Sequence, residues 1–292
     1  MYHRTMLALD YANPLDALAA LGARAPGRGA IILGGQRFEV PGDVVLNFID
    51  APRCAPPVTD FTTRTRPPQS ITLHTNHGQP HDPPLLPGFA ADTAVCTLSQ
   101  YQASTEREVS WDFSNGRTGI VTQQNDPLRR YTWQAGNVNG YSIGIENEQG
   151  PGGSVYRGQM ASLVRLCDEI TRRLRIQRQV PAVWVNGRRV PDRRVLARFG
   201  AGENGQTWWG IFGHRNVTTQ RGPGDPGDAV IQAFLDAGYE GFDLATWEDF
   251  RVWGARQRQI GVPVTGMPGP ETVAALKARG FPHGIYGWRP GD

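Results

Sequence analysis

The chain predicts an α/β fold: a central mixed β-sheet flanked by helices, followed by a small C-terminal helical module. Three observations point there. Short runs with strand-like character recur at 70–76, 109–115, 119–124 and 141–148. The stretch 156–174 instead sets Met160, Leu163, Val164, Cys167, Ile170 and Leu174 at helical spacing along one face. From about residue 241 the strand signals give way to helical patterns. Strands alternating with helices bury their apolar faces as a sheet with helices laid against it.

Taken in order, residues 1–65 read as a leader. A short helical patch at 14–21 precedes strand-like runs at 30–33 and 44–49, with turn chemistry between them. Ala55-Pro56-Pro57 and then Arg66-Pro67-Pro68 read as a linker or extended arm. Residues 66–240 form the principal domain. Within it, Asn115-Gly116-Arg117-Thr118-Gly119 is a hairpin turn between the second and third strands. A second helix spans 228–237, with Asp228 as its N-cap and Gly238 as its stop. Residues 241–292 hold a helix at 244–260 with Trp247, Phe250, Val252 and Trp253, a turn-rich stretch, and a short helix at 271–278. A module of about 50 residues is marginal as an independent core.

With 39% hydrophobic and 20% charged residues in 292, the chain has the balance of a soluble protein. No apolar run reaches the roughly 20 residues of a membrane helix, so stable membrane insertion is not expected. Asp10, Asn13, Pro14 and Asp16 interrupt any signal-peptide core, so synthesis in the cytoplasm without a recognisable signal is expected. Among 30 basic residues Lys277 is the only lysine. Arg172, Arg173, Arg175, Arg178, Arg188, Arg189, Arg193, Arg194 and Arg198 crowd together. They read as a solvated helix face and loop rather than a polyanion site. No interleaved aromatics offer base stacking, and nucleic acid is not an expected partner. Cys54, Cys96 and Cys167 form no C-x-x-C pair, which excludes a cysteine-rich zinc site. Cys167 falls on the apolar helix face as a core residue.

The chemistry lies in two stretches. Phe212-Gly213-His214-Arg215 ends an apolar run on a histidine, and Gly224-Asp225-Pro226-Gly227 follows as a rigid turn. His74 sits near the end of the strand-like run Ser70-Ile71-Thr72-Leu73-His74-Thr75-Asn76. Imidazole and carboxylate both ligate Zn²⁺, and three such groups leave a fourth position for water. Glu146, at the end of Ser142-Ile143-Gly144-Ile145-Glu146, supplies an acid that need not bind metal. It can take the water's proton and pass it to a leaving amine, a recipe for amide hydrolysis. The competing reading is a strand histidine, a turn aspartate and a structural glutamate that never meet. Glu148 lies two residues on, shares the strand face of Glu146 and competes for its role. His77 and His81 follow His74, but Gly78, Pro80 and Pro83 argue for a loop there.

Four motifs carry a resemblance across about residues 70–235. Thr72-Leu73-His74-Thr75, Trp133-Gln134-Ala135-Gly136, Ser142-Ile143-Gly144-Ile145-Glu146 and Gly213-His214-Arg215 with Asp225-Pro226-Gly227 occur in that order. Together they are similar to the zinc-dependent N-acetylmuramoyl-L-alanine amidases, whose fold is shared with the peptidoglycan recognition proteins. The resemblance implies Zn²⁺ held by His74, His214 and Asp225, with Glu146 as general base and then acid. It implies peptidoglycan as substrate, cut between N-acetylmuramic acid and L-alanine. Trp133, Gln134, Asn76 and Trp111 would line the substrate groove.

The chain departs from the family pattern at three places. Pro223 stands where a lysine often precedes the third ligand, leaving Arg221 as the nearest cation for a catalytic role. Gln134 replaces the histidine of a Trp-His-Ala-Gly segment. Trp111-Asp112 replaces an aromatic-histidine pair. Gly266-Met267-Pro268-Gly269-Pro270-Glu271-Thr272 resembles a turn of helical peptidoglycan-binding repeats, which implies a wall-binding C-terminal module. Trp247, Trp253 and Trp288 are then sugar-stacking candidates, with core packing as the default. Action on the cell wall implies release by lysis or dedicated delivery, with the N-terminal leader as the docking point for a delivery partner. A non-catalytic peptidoglycan-binding protein on the same scaffold is the alternative function.

Overall fold

The computed structural model describes residues 30–49, 61–76, 85–86, 98–99, 101–102, 104–150, 153–195, 210–218, 220–221, 224–242, 257–264 and 270–280. Several expectations lie outside the described residues: the patch at 14–21, most of the helix at 244–260, His77, His81, Cys54, Cys96, Arg198, Pro223, Trp247, Trp253 and Trp288. Among the described residues no helix is long and apolar enough to cross a membrane.

Strands β1 (Ala30–Leu33), β2 (Gln36–Glu39) and β3 (Val44–Asn47) come first, then β4 (Phe61–Thr63), β5 (Ser70–Thr75) and β6 (Leu85–Leu86). They are followed by β7 (Phe113–Asn115), β8 (Ile120–Gln123), β9 (Arg130–Thr132), β10 (Ser142–Asn147) and β11 (Val155–Tyr156). Helix α1 (Arg157–Leu174) leads to β12 (Gln179–Val185), β13 (Arg188–Pro191) and β14 (Gly210–Gly213). Helix α2 (Asp228–Asp236), β15 (Glu240–Phe242) and α3 (Pro270–Ala278) close the order.

The central sheet has the order β14-β5-β10-β7-β8-β3. Its first four strands run parallel, and the β7–β8 hairpin reverses direction, so the sheet is mixed as expected. Strand alternation divides its faces. Ile71, Leu73, Ile143, Ile145, Ile211, Phe113 and Val121 make one face, and each is fully buried. They meet Leu163, Leu166, Cys167 and Ile170 of α1 and Val230, Ile231 and Phe234 of α2 in one core. Each such side chain contributes about 1.5–3 kcal/mol of burial. The opposite face carries Ser70, Thr72, His74, Ser142 and Glu146, all buried. A polar sheet face kept from water is the setting of the site.

Helix α1 follows the predicted apolar stripe. Tyr156 precedes it in extended conformation, and its N–H donates to Gln159 Oε1 at 3.3 Å. Arg175 ends it in the left-handed region at φ 56°. Asp228 differs from its expected place: Gly227 caps α2 and Asp228 is its first helical residue. The Asp228 carboxylate instead pairs with Arg215 at 2.7 Å and with Arg193.

Two further differences concern connectivity. Residues 30–49, read as part of a leader, supply β1–β3, and β3 is an edge strand of the central sheet beside β8. Ile31, Leu33, Val40 and Val45 join the common core, so this structural unit begins upstream of residue 66. The arginine-rich region contains a β-hairpin, β12–β13, turning at Asn186 and Gly187 with φ 48° and 75°. Its arginines face partners: Arg172 and Arg173 contact Glu169 at 2.6 and 2.7 Å, and Arg178 contacts Asp168 at 2.9 Å. Arg194 pairs with Asp192 at 2.5 Å, and Arg189 lies 4.6 Å over the Trp184 ring. Local pairing lowers the charge offered to a polyanion.

Candidate metal centre

The C-terminal ends of the parallel strands assemble the site. His74 is the fifth residue of β5, and Gly213 ends β14 in register with Leu73, so His214 emerges level with His74. A short 3-10 turn, His214–Asn216, follows, and the Gly213 N–H donates to Asn216 Oδ1 at 3.0 Å. The Asp225 turn folds back onto this end: the Arg215 N–H donates to the Asp225 carbonyl at 2.8 Å. Gly213 permits the approach, since a Cβ there would lie 2.5 Å from Pro226 Cδ.

Asp225 is held through one oxygen. The Thr75 N–H donates to Asp225 Oδ1 at 2.9 Å, and Thr75 Oγ1 donates to the Gly224 carbonyl at 2.8 Å. Oδ2 then lies 3.1 Å from His214 Nδ1, and His214 Nδ1 lies 3.0 Å from His74 Nδ1. The three groups are all buried, with candidate ligand atoms within 4.8 Å of one another. Two donors each about 2.0–2.2 Å from a tetrahedral ion sit roughly 3.3 Å apart. The donor types and the two short spacings therefore fit a zinc ion.

The electrostatics agree with a cation site. Burial, reinforced by His214, pulls His74 down to about 3, which keeps its ring neutral and able to ligate. Burial alone would raise Asp225. Its hydrogen bond from His214, the neighbouring imidazole rings and the Thr75 N–H outweigh that, holding the carboxyl below its usual range.

Glu146 is the register partner of His74 on β10 and is 9% exposed. Burial, followed by the Asp225 charge, raises its carboxyl well above the usual range against the opposing pull of Arg221. Glu148 has a different partner: Arg117 Nε lies 2.6 Å from its carboxylate. Arg221 Nε is 3.8 Å from Asp225 Oδ2, with its side chain 47% exposed.

A cleft of about 980 Å³ opens over the site, lined in part by Trp133, Gln134, His214 and Arg221. Trp133 is fixed by its Nε1–H, which donates to Thr62 Oγ1 at 3.1 Å. Gln134 Oε1 lies 2.9 Å from His74 Nε2. The other two groove candidates stand apart from the cleft lining. Trp111 is buried, stacks on Tyr101 with ring centroids 6.5 Å apart, and donates to Ser114 Oγ at 2.7 Å. Asn76 Oδ1 accepts the Gln149 N–H at 2.6 Å, tying the ends of β5 and β10 together. Glu108, Tyr131, Asn139 and Tyr141 also line the cleft and were not read from the sequence. Gly136 and Gly140 bracket the 3-10 turn Gly136–Tyr141 that carries part of this lining, but no local feature of the sequence says which way it faces.

The profile of the N-acetylmuramoyl-L-alanine amidase family matches residues 64–228. No curated protein matches the sequence. Among solved structures the chain is similar to an AmpD derivative at 18% identity, covering 62% of this chain and 92% of that one, with a TM-score of 0.39. It is similar to Drosophila peptidoglycan recognition protein SD at 15% identity, covering 69% and 99%, with a TM-score of 0.42. It is also similar to N-acetylmuramoyl-L-alanine amidase LysC from Clostridium intestinale at 15% identity, covering 61% and 94%, with a TM-score of 0.35.

Proposed function

This chain belongs to the N-acetylmuramoyl-L-alanine amidase family, and from that membership we propose that it hydrolyses the amide joining the N-acetylmuramic acid lactyl group to L-alanine in peptidoglycan, with Zn²⁺ held by His74, His214 and Asp225. One observation carries the reading: two imidazoles and a carboxylate converge on the polar sheet face that also carries the buried Glu146, with His214 reaching the lining of the cleft.

When bound, zinc supplies Lewis-acid polarisation of the scissile carbonyl and makes water a better nucleophile. The residues of the chain do the rest. Thr75 holds Asp225 in place through Oδ1, leaving Oδ2 toward His214. Glu146 accepts the proton of the attacking water and returns it to the leaving nitrogen. Water adds to the carbonyl carbon, the C–N bond breaks, and the products are a lactyl carboxylate and a free L-alanine amine. Trp133, Tyr131 and Tyr141 give the cleft aromatic surface for sugar and peptide. Arg221 stands on the cleft wall, and we assign it the charge that a lysine at position 223 would supply.

We assign residues 241–292 to wall retention, supported by the turn motif leading into α3, and the N-terminal residues upstream of β1 to delivery. Mass spectrometry of digested sacculi tests the reaction. New L-alanine amines support it. New reducing sugar ends would replace it with a glycosidase, and binding without release would leave a recognition protein.

A further inference from the structure

Gln134 belongs to the cleft wall, yet its amide is turned inward against a metal-ligand candidate. A neutral imidazole carries one N–H, and what each ring nitrogen meets decides where that proton sits. His74 Nδ1 faces His214 Nδ1 at 3.0 Å, and His74 Nε2 faces Gln134 Oε1 at 2.9 Å. A carbonyl oxygen only accepts, so Nε2 carries the proton and Nδ1 keeps its lone pair. The reversed amide would present N–H to Nε2 and drive the proton onto Nδ1, where a metal would have to displace it.

The surroundings are built to seat this amide. The Gln134 and Ala135 N–H groups both donate to Asn139 Oδ1, at 3.0 and 2.7 Å, which clamps the loop backbone. On β10, Gly144 leaves the space the side chain occupies: a Cβ there would lie 2.4 Å from Gln134 Oε1 and 2.6 Å from Cδ. Gln134 Nε2 is buried with no hydrogen-bond partner among the described residues. The fold thus leaves a donor unmet while keeping the carbonyl on His74.

We propose that Gln134 is a positioning residue that fixes the Nε2–H tautomer of His74 and thereby makes Nδ1 its metal-binding atom. The proposal rests on the zinc reading above. Because an amide does not titrate, this acceptor persists at every pH at which the fold survives. Outer partners of metal-bound histidines typically change metal affinity by about 10–100-fold.

The test uses the full chain. In metal-free wild-type protein, ¹⁵N NMR of the imidazoles should show His74 protonated on Nε2. Gln134→Leu should lose that preference and weaken zinc binding, measured by chelator competition, about 10–100-fold. Gln134→Glu keeps an acceptor oxygen at the same reach and should restore both. Gly144→Ala displaces the same amide without touching Gln134 and should copy the Leu variant, so the proposal survives a Leu variant that fails to fold. An Nδ1–H tautomer in wild type overturns the proposal, as does a folded Leu variant with wild-type zinc affinity. If wild type binds no zinc, the metal reading fails, while the tautomer still decides what Gln134 does to His74.

Discussion

Glu146 and His74 are direct register partners on the adjacent parallel strands β10 and β5. The pairing puts both side chains on one sheet face at one height, independently of any loop. It also explains their different chemistry. His74 meets His214 at 3.0 Å, whereas Glu146 feels the Asp225 charge, which adds to the effect of burial in raising its carboxyl.

Under the proposed reaction, Glu146→Gln should retain zinc and lose turnover by about 10²–10⁴-fold, the usual weight of a general acid-base group. Glu148→Gln should keep turnover, because its carboxylate is already taken by Arg117. Zinc content by mass spectrometry and amine release from sacculi measure the two effects separately. A Glu148→Gln enzyme that is inactive while Glu146→Gln remains active would reverse the assignment.

Asp225→Asn should lower zinc occupancy, since the neutral amide removes the charge that His214 and Thr75 now support. The variant should be purified with substoichiometric metal under conditions that leave wild type loaded. Chelator-treated wild type should lose hydrolysis and regain it on adding zinc. Activity unaffected by thorough chelation would sink the metal reading.

The local pattern made β5 and β10 legible, because each alternates an apolar core side with a polar side that ends on a site residue. The contact between His74 and His214 was legible only through the family resemblance: they are 140 positions apart, and the register of β5 with β14 brings them together. The strand at 44–49 is visible in the sequence, but its pairing with β8 some way along the chain is not, which is why residues 1–65 read as a leader. Asn186-Gly187 carries a strong hairpin signal, set within an arginine-rich stretch whose composition alone does not specify strands. Trp111 followed a motif position into the groove reading; its indole turned inward to Ser114, a direction that strand spacing does not specify.

Arg221→Ala separates catalysis from metal retention. Its contact with Asp225 is long and half exposed, so zinc affinity should change no more than about fivefold, the range of an exposed ion pair. If Arg221 supplies charge to the developing oxyanion, kcat should fall by about 10²-fold. A rise in KM with kcat unchanged would make it a substrate contact instead.

Asp112 predicts a pH dependence that arises outside the candidate metal-ligand set. Its carboxylate is buried beside β7, where it accepts from Asn125 Nδ2 at 2.6 Å and from the Gly144 N–H at 2.8 Å. Burial raises it from 3.8 to about 6, although Arg64, Asn125, Gly144 and Thr132 all pull the other way. A raised carboxyl means that the folded chain holds a proton the unfolded chain has released. Its stabilising contribution is therefore complete below the unfolded value and is lost as pH rises through about 6. A gap of about two units corresponds to something on the order of 3 kcal/mol across the whole window. Asp112→Asn cannot titrate, so the variant removes this dependence while perturbing the accepted hydrogen bonds at every pH. Urea unfolding at about pH 5 and about pH 8 should show the stability advantage of wild type over the variant shrinking by roughly 1–2 kcal/mol at the higher pH. An advantage that grows with pH would mean that the donors around Asp112 outweigh its burial.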